Sequence, residues 1–328
     1  MMDEKLGRCV ASWCPGATGV VGVARLSGGA SQETWSFDIV HPDGNIGAIL
    51  RRAPAGYGAS PGRAAGLDAE ARLMQLAHDA GLPSPRVMHV LTPQDELGAG
   101  FIMARVEGET IARKILRDAQ FAEARPMLAR QLGKVIAGIH GLPASKLPEL
   151  RQMTSTKEIA DLEREYRSFD WPRPVFELAL RWLRDRDPGP PQQVTLVHGD
   201  FRHGNLIIGP DGVRAVLDWE LAHTGDPMED LGWICVNSWR FGEIDKPVGG
   251  FGSREELFAG YEAAGHRVDP ARVMFWEVMG TLRWGVMCCG MMQRFRSGPD
   301  HSMERAMIGR RSSETEIDLL RLLAPRRA

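Results

Sequence analysis

Apolar and polar residues alternate over Thr34 to His41, and shorter apolar runs of strand character flank that stretch. The pattern predicts three antiparallel strands between residues 20 and 52: Val20 to Ser27, Thr34 to His41 and Gly47 to Arg52. The turn His41-Pro42-Asp43-Gly44-Asn45 joins the last two. Residues 53–66 are rich in Gly, Pro and Ala, have no periodicity and read as a flexible loop. From Asp68 to Ala80 the period becomes helical, with Leu73, Leu76, Ala77 and Ala80 on one face and Gly81 and Pro83 ending the run. Val87 to Val90 and Gly100 to Val106 read as two further strands. After Gly108 the chain turns helical. Met127 to His140 carries Leu128, Leu132, Val135, Ile136 and Ile139 on one face. Residues 156–186 predict one or two charged helices broken around Asp170-Trp171-Pro172. Further helices are expected around 229–240, 253–264, 270–293 and 301–323. The expected class is α+β, with a small antiparallel β lobe containing one helix followed by a larger, mainly helical lobe. The boundary falls near 103–109, drawn here as 1–105 and 106–328.

The segment LVHGDFRHGNLIIGPDGVRAVLDWE, residues 196–220, interrupts the helical half with strand-like runs. Thr195 to Val197 leads into His198-Gly199-Asp200, and Asn205 follows. Leu206 to Ile208 and Val213 to Leu217 flank the turn Gly209-Pro210-Asp211-Gly212 as a β-hairpin, and Asp218 stands at its exit. This order gathers a carboxylate, an amide oxygen and a second carboxylate around one point. Phosphoryl transfer needs such a set: a carboxylate to aim and deprotonate an attacking hydroxyl, and two oxygen ligands for Mg²⁺ on the nucleotide phosphates.

HGDFRHGN resembles the catalytic loop of the aminoglycoside phosphotransferase-like kinases, whose pattern is HGD, four residues and Asn, spaced like the protein-kinase loop. DWE at 218–220 and GDPMEDL at 225–231 are closer to a subgroup that includes kinase-like domains fused or adjacent to acyl-CoA dehydrogenases. The likeness runs from about Leu26 to the C-terminal helices. It implies a two-lobed protein-kinase-like fold, ATP and Mg²⁺ as cofactors, Asp200 as the catalytic carboxylate, and Asn205 and Asp218 as metal ligands. It also implies that the turn Gly28-Gly29-Ala30-Ser31-Gln32 covers the phosphates, through Gly28, Gly29, Ser31 and Gln32. Arg51 stands where such kinases have a strand Lys, with Glu70 on the next helix as its partner and Arg52 as the alternative if the register slips by one. Adenine is expected at the linker Met103 to Gly108, on the Ala104 carbonyl and the Val106 amide.

His198 is expected to buttress the loop. His203 faces either the substrate or solvent. Asp226 and Asp230 read as structural, Asp230 capping its helix or tying back to the catalytic-loop backbone. Trp171, Trp182, Trp233, Trp239, Trp276 and Trp284 read as core. Met274, Met279, Met287, Met291 and Met292 read equally as core packing or an adaptable acceptor pocket.

Bulk properties narrow the class further. Hydrophobic residues are 43% and charged residues 25% of the 328-residue chain, and its formal net charge is −2. No global field points to nucleic acid or a membrane surface. Five cysteines without metal or disulfide spacing predict reduced thiols, and the N-terminus lacks a secretory pattern, so a cytoplasmic protein is expected. The longest apolar stretch, 273–292, holds Glu277 and Arg283 and reads as a buried core helix rather than a membrane span. The C-terminal helices mix Arg and Glu (Arg254, Glu255, Glu256, Glu262, Arg267, Arg272, Glu277, Arg283, Arg294, Arg296), unlike the acidic cleft that a polycationic aminoglycoside needs. The resemblance to the DWE-type subgroup implies instead the hydroxyl of a hydroxyacyl compound or another small metabolite, and an acyl-CoA would suit some of these arginines, which could meet its phosphates. A protein kinase is the first alternative, opposed by the short DWE-to-GDPMEDL interval. A non-catalytic nucleotide-binding module is the second, supported only by Arg51.

Overall fold

The computed structural model describes residues 2–26, 32–54, 64–298 and 301–324. Helix α1 (Met2–Trp13) precedes strands β1 (Gly19–Arg25), β2 (Glu33–Val40) and β3 (Ile46–Arg52). Helix α2 (Leu67–Asp79) then leads to β4 (Val87–Val90) and β5 (Gly100–Ala104). The five strands form one antiparallel sheet in the order β1-β2-β3-β5-β4. Residues 55–63 of the expected loop lie outside the described residues.

Successive strand side chains point to opposite faces, and that alternation divides the small lobe into two layers. Phe37, Ile39, Ala48, Leu50 and Ile102 pack under Leu6, Cys9 and Val10 of α1. Ile49, Phe101 and Met103 pack on Ala71, Leu73, Met74 and Ala77 of α2. Helix α1 is an addition to the one-helix lobe read from sequence. Its stripe of Leu6, Cys9, Val10 and Trp13 has helical spacing, and it covers the sheet face that α2 leaves open. The same alternation settles the two neighbouring arginines of β3. Arg51 shares the face of Ile49 and α2. Arg52 turns away, donating to Glu33 at 2.7 Å and to the Leu97 carbonyl at 3.1 Å.

The larger lobe contains α3 (Ala112–Arg117), α4 (Arg125–His140), α5 (Ser155–Arg167) and α6 (Pro174–Asp185). Four short strands follow, β6 (Thr195–Val197), β7 (Leu206–Gly209), β8 (Gly212–Val216) and β9 (His223–Gly225). The chain ends in α7 (Met228–Trp233), α8 (Arg254–Glu262), α9 (Pro270–Ser297), α10 (Met303–Gly309) and α11 (Ser312–Leu323). β7 and β8 make the expected hairpin, while β6 pairs with β9. The helix expected over 229–240 stops at Trp233, followed by a 3-10 turn at Asn237–Trp239. The helix expected over 301–323 is two, because Gly309 ends α10 directly against the α9 backbone at Met292.

Helices α4 and α8 cross at glycines. A Cβ on Gly133 would stand 2.0 Å from the Leu257 carbonyl oxygen, and one on Gly260 would stand 2.0 Å from that of Arg130. This close crossing seats His140, at the end of α4, beside Tyr261 and Asp230. Helix α9 runs through the lobe with Glu277 and Arg283, the charges in its apolar stretch, buried and paired. Glu277 takes Arg240 at 2.9 Å and Arg254 at 2.6 Å, and Arg283 donates to Glu229 at 2.9 Å. Among the described residues, no helix is long and apolar enough to cross a membrane.

Candidate active site

Strand β6 delivers His198-Gly199-Asp200 to the centre of the larger lobe. The turn is caught by Asp230 of α7, which is fully buried and accepts from the backbone N–H groups of His198 (2.8 Å) and Gly199 (2.9 Å). Its remaining partner is His140 Nε2, at 3.1 Å. Gly199 has φ of 80°, and a Cβ there would meet the Leu221 carbonyl at 2.6 Å, so a side chain is excluded on both counts. His198 accepts at Nδ1 from the Asp200 N–H (3.2 Å) and faces the Leu217 carbonyl through Nε2 (3.1 Å). These partners define an Nε2–H tautomer. Burial pushes its pKa below the ordinary histidine value, so the ring is a neutral brace between the two loops.

Asp200 is held by three donors. Its Oδ1 accepts from Trp233 Nε1 and Arg202 Nε, both at 2.9 Å, and its Oδ2 accepts from Asn205 Nδ2 at 2.7 Å. Asn205 Nδ2 also reaches the Asp200 carbonyl at 3.0 Å, which leaves the amide oxygen for another partner. The Leu217 N–H donates to the Asn205 carbonyl at 2.8 Å, so Asn205 and the start of the Asp218 turn are stitched side by side. Asp218 itself sits in the left-handed region, with φ of 63°. Aspartate tolerates that conformation better than most residues, and such strain gathers at sites where a side chain must be aimed.

From the small lobe, Arg51 reaches across to this turn. It bonds Asp218 Oδ1 and Gln32 Oε1, lies 3.0 Å from Glu70 and 3.9 Å from Glu220. Gln32 Nε2 in turn donates to Glu220 at 3.3 Å. Three carboxylates thus surround one guanidinium. Burial first, and then the charges of Asp218 and Glu220, push Glu70 up to about 7 against the pull of Arg51. The local excess of negative charge is what a divalent cation on nucleotide phosphates would neutralise.

A second buried network stands behind the catalytic turn. Glu229 pairs with His223 Nε2 at 3.1 Å and with Arg283 Nη1 at 2.9 Å, and Arg283 Nη2 donates to the Gly199 carbonyl at 3.1 Å. Burial opposes the Glu229 charge, but His223 and then Arg283 overcome it and hold its pKa down to about 2. His223 is raised in turn: desolvation pulls it down, but the charge and hydrogen bond of Glu229 together overcome that. The signs differ for the two partners. The Glu229 share of stability is present above about pH 4.3, its ordinary value, and is lost as pH falls toward the depressed one. The His223 share is present below its ordinary value and is lost as pH rises through the raised one. The thermal midpoint is therefore expected to fall progressively below about pH 4.3, with a shallower fall in Glu229→Gln. Equal slopes for the two proteins would show that this pair does not govern the acid limb.

The sequence-derived residues sort as follows. Asp200, Asn205, Asp218, Arg51, Glu70 and Gln32 converge on one cleft edge. Gly28, Gly29 and Ser31 lie outside the described residues. Ala104 ends β5 and Val106 follows it, both half-buried at the linker. His203 does not face solvent: it is buried between Phe241 and Phe251 with Nε2 on the Gly249 carbonyl, and burial lowers its pKa to about 4. Arg254 and Arg283, expected among the acceptor's phosphate contacts, are committed to Glu277 and Glu229, and Arg272 to Asp226. Sequence reasoning missed Arg202, Glu220 and Trp233. Arg202 and Glu220 stood inside the quoted motifs without a role. Trp233 lies 33 residues from the carboxylate it touches, and no spacing rule connects them.

A β lobe over a helical lobe, with a His-Gly-Asp turn, an Asn and a hairpin-exit Asp at their junction, defines the protein-kinase-like phosphotransferases. The profile described as phosphotransferase enzyme family matches residues 22–276, and the chain belongs to that family. It is 29% identical over 195 residues to acyl-CoA dehydrogenase family member 10 of Mus musculus, an alignment covering 57% of this chain and 18% of that protein. It is 27% identical over 243 residues to acyl-CoA dehydrogenase family member 11 of Gallus gallus, covering 71% of this chain and 30% of that protein. The chain thus spans under a third of the length of these relatives. Among solved structures, a Ralstonia eutropha JMP134 protein assigned to the aminoglycoside phosphotransferases has a TM-score of 0.75 at 22% identity, with 97% of each chain covered. A choline/ethanolamine kinase family protein from Mesorhizobium loti has 0.66 at 20%, covering 99% of this chain and 96% of the other. A thermostable mutant of aminoglycoside phosphotransferase APH(4)-Ia, in ternary complex with AMP-PNP and hygromycin B, has 0.63 at 18%, with 98% of each covered. At these identities the likeness shows the fold.

Proposed function

We propose that the chain moves the γ-phosphate of ATP to the hydroxyl of a small molecule, a hydroxyacyl compound before an aminoglycoside. In this reading residues 1–105 form the nucleotide lobe and 106–328 carry the catalytic loop and acceptor site. Asp200 aims the acceptor hydroxyl and takes its proton. The free amide oxygen of Asn205 and the Asp218 carboxylate hold Mg²⁺, which supplies charge neutralisation on the phosphates when bound. Arg51, kept in place by Glu70, grips phosphate oxygens. Gly28, Gly29, Ser31 and Gln32 cover the phosphates, and the Ala104 carbonyl and Val106 amide take adenine. The observation that carries this reading is the convergence of Asp200, Asn205 and the Arg51–Asp218 pair through backbone bonds of both loops.

The aromatic surroundings of Asp200 support an acyl acceptor. Trp233, Trp239 and Trp284 pack in series with tilted rings, centroids 5.2 and 5.0 Å apart. Each carries an arginine over its ring: Arg283 at 4.1 Å, Arg202 at 4.8 Å and Arg311 at 5.8 Å. Among the described residues, the buried indole N–H groups of Trp239 and Trp284 have no protein acceptor. With these arginines paired to Glu229, Asp200 and Glu314, the wall is chiefly aromatic and suits an apolar chain better than a polycation. Partly buried Met287 and Met291 pack against it and can adapt to such a chain.

The test is transfer of labelled γ-phosphate from MgATP, offered a host metabolite extract, a panel of hydroxyacyl thioesters and free hydroxy acids, and hygromycin B. Label is expected in a hydroxyacyl compound and absent from the aminoglycoside. Label in another metabolite alone would reject the acyl acceptor and keep the kinase. Intact nucleotide binding with no transfer to any acceptor would reject the kinase.

A further inference from the structure

On the sheet face opposite the nucleotide side, three potential ligands of different chemistry meet. Cys9 comes from α1, His89 from β4, and Asp95 from the 3-10 turn Pro93–Asp95 between β4 and β5. The Cys9 sulfur, a His89 ring nitrogen and an Asp95 carboxylate oxygen all lie within 4.8 Å of one another. The same three residues line a solvent-open cleft whose rim includes Arg8, Ser12 and Thr92. Two independent features therefore coincide: a convergent donor set and an entry path for an ion.

The donors are already oriented. The His89 ring stacks on Trp13, with centroids 5.3 Å apart and planes 8° from parallel. Asp95 Oδ2 accepts from the Thr92 N–H at 2.7 Å, Thr92 Oγ1 at 2.9 Å and His89 Nε2 at 3.0 Å. The two Thr92 bonds fix the direction of Asp95, as outer hydrogen bonds do around established metal ligands, and the His89–Asp95 bond is the contact that the ion would replace. None of the three residues touches the Asp200 cleft or has a part in the proposed transfer.

We propose that Cys9, His89 and Asp95 form a Zn²⁺ site, with water from the cleft completing the tetrahedron. A sulfur, an imidazole nitrogen and one carboxylate make a borderline set that suits Zn²⁺ and is wrong for Mg²⁺ or Ca²⁺, which demand oxygen. Charge balances: a thiolate and a carboxylate neutralise the dication. On binding, the S–H bond of Cys9 breaks, its proton leaves to solvent and the sulfur lone pair takes the metal. His89 stays neutral, its ring proton shifting to the nitrogen that does not face the metal. The ion would staple α1 to the β4–β5 connection, where the polar ties to Glu96 are an exposed ion pair with Arg8 at 3.4 Å and a Lys5 bond to its carbonyl. Its expected effect is stability of the small lobe, by binding the folded state alone.

The test uses the full chain, freed of metal by a chelator, titrated with Co²⁺ by absorbance and with Zn²⁺ by competition against a chromophoric chelator. A single equivalent of Co²⁺ is expected to give a thiolate-to-cobalt charge-transfer band, and Zn²⁺ to raise the thermal midpoint. Cys9→Ser should abolish the band and weaken Zn²⁺ by at least about tenfold, while Cys14→Ser keeps both. Cations held at Asn205 and Asp218 meet no sulfur and cannot produce the band. Absence of the band in the wild type, or its persistence in Cys9→Ser, overturns the site. Should Cys9→Ser fail to fold without metal, His89→Gln takes its place, and unchanged Zn²⁺ affinity in that variant overturns the proposal equally.

Discussion

Asp200→Asn is expected to lower kcat by about 10²–10⁴-fold, the range that a positioned proton acceptor contributes, with nucleotide affinity close to wild type and a modest fall in the thermal midpoint. The separation follows from what each neighbour does. Arg202, Trp233 and Asn205 clamp both oxygens of Asp200, so its direction toward the acceptor is set before substrate arrives. The nucleotide, in contrast, is expected to meet Arg51, Gln32 and the metal ligands. Asparagine preserves the size of the side chain but cannot take the hydroxyl proton. It also turns an amide N–H₂ toward groups that are themselves donors, so its orientation is compromised. Steady-state kinetics with the acceptor found above, together with nucleotide binding by calorimetry, would read both quantities. A variant with wild-type kcat would leave Asp200 as a capping residue of the turn and remove it from the chemistry. A variant that lost nucleotide affinity and kcat together would point to collapse of the junction rather than loss of a proton acceptor.

The second large effect is on stability. Asp230→Ala is expected to cost about 3–5 kcal/mol, the range for removing one partner from a buried charged network, and to lower the thermal midpoint by roughly 10 °C. Asp230 is fully buried and serves three donors: the N–H groups of His198 and Gly199 and the ring of His140. Alanine leaves two backbone donors in the catalytic turn without an acceptor, and no water reaches them without opening the core. Asp230→Asn, which keeps one acceptor oxygen, should lose less. Because the orphaned donors belong to the turn that carries Asp200, kcat should fall in the surviving folded fraction as well. Denaturant midpoints and kcat measured on the same preparations check both. A midpoint within the noise of wild type for the alanine variant would show that the turn is held by other contacts.

These two aspartates mark how far the sequence could be read. That Asp200, Asn205 and Asp218 would come together was legible because it depends on local geometry: a loop of fixed length, a hairpin of period two, and a carboxylate at its exit. The spacing of a short loop leaves its side chains few directions to point. The five strands and α2 were legible for the same reason, since each records its burial in its own periodicity. The α1 stripe of Leu6, Cys9, Val10 and Trp13 was equally legible and went unread. The direction of His203 was not legible because a histidine inside a functional loop carries no local mark of which way it faces; Phe241 and Phe251, far along the chain, decide it.

By itself the sequence determined the class of fold, the order of its β and helical parts and which residues of the 196–220 segment meet, through short-range patterns of period and spacing. The tertiary structure alone decided which of two adjacent arginines serves the site, by placing Arg51 and Arg52 on opposite faces of β3. It also decided that Trp233 and Arg202 clamp Asp200, that Arg254, Arg272 and Arg283 are held by buried carboxylates, and that Cys9, His89 and Asp95 meet. The physical reason is range. Hydrogen bonds and backbone sterics act between near neighbours and leave a periodic trace in the chain. Pairings such as Arg51 with Asp218, 167 positions apart, exist only once burial of the two cores has brought distant segments together.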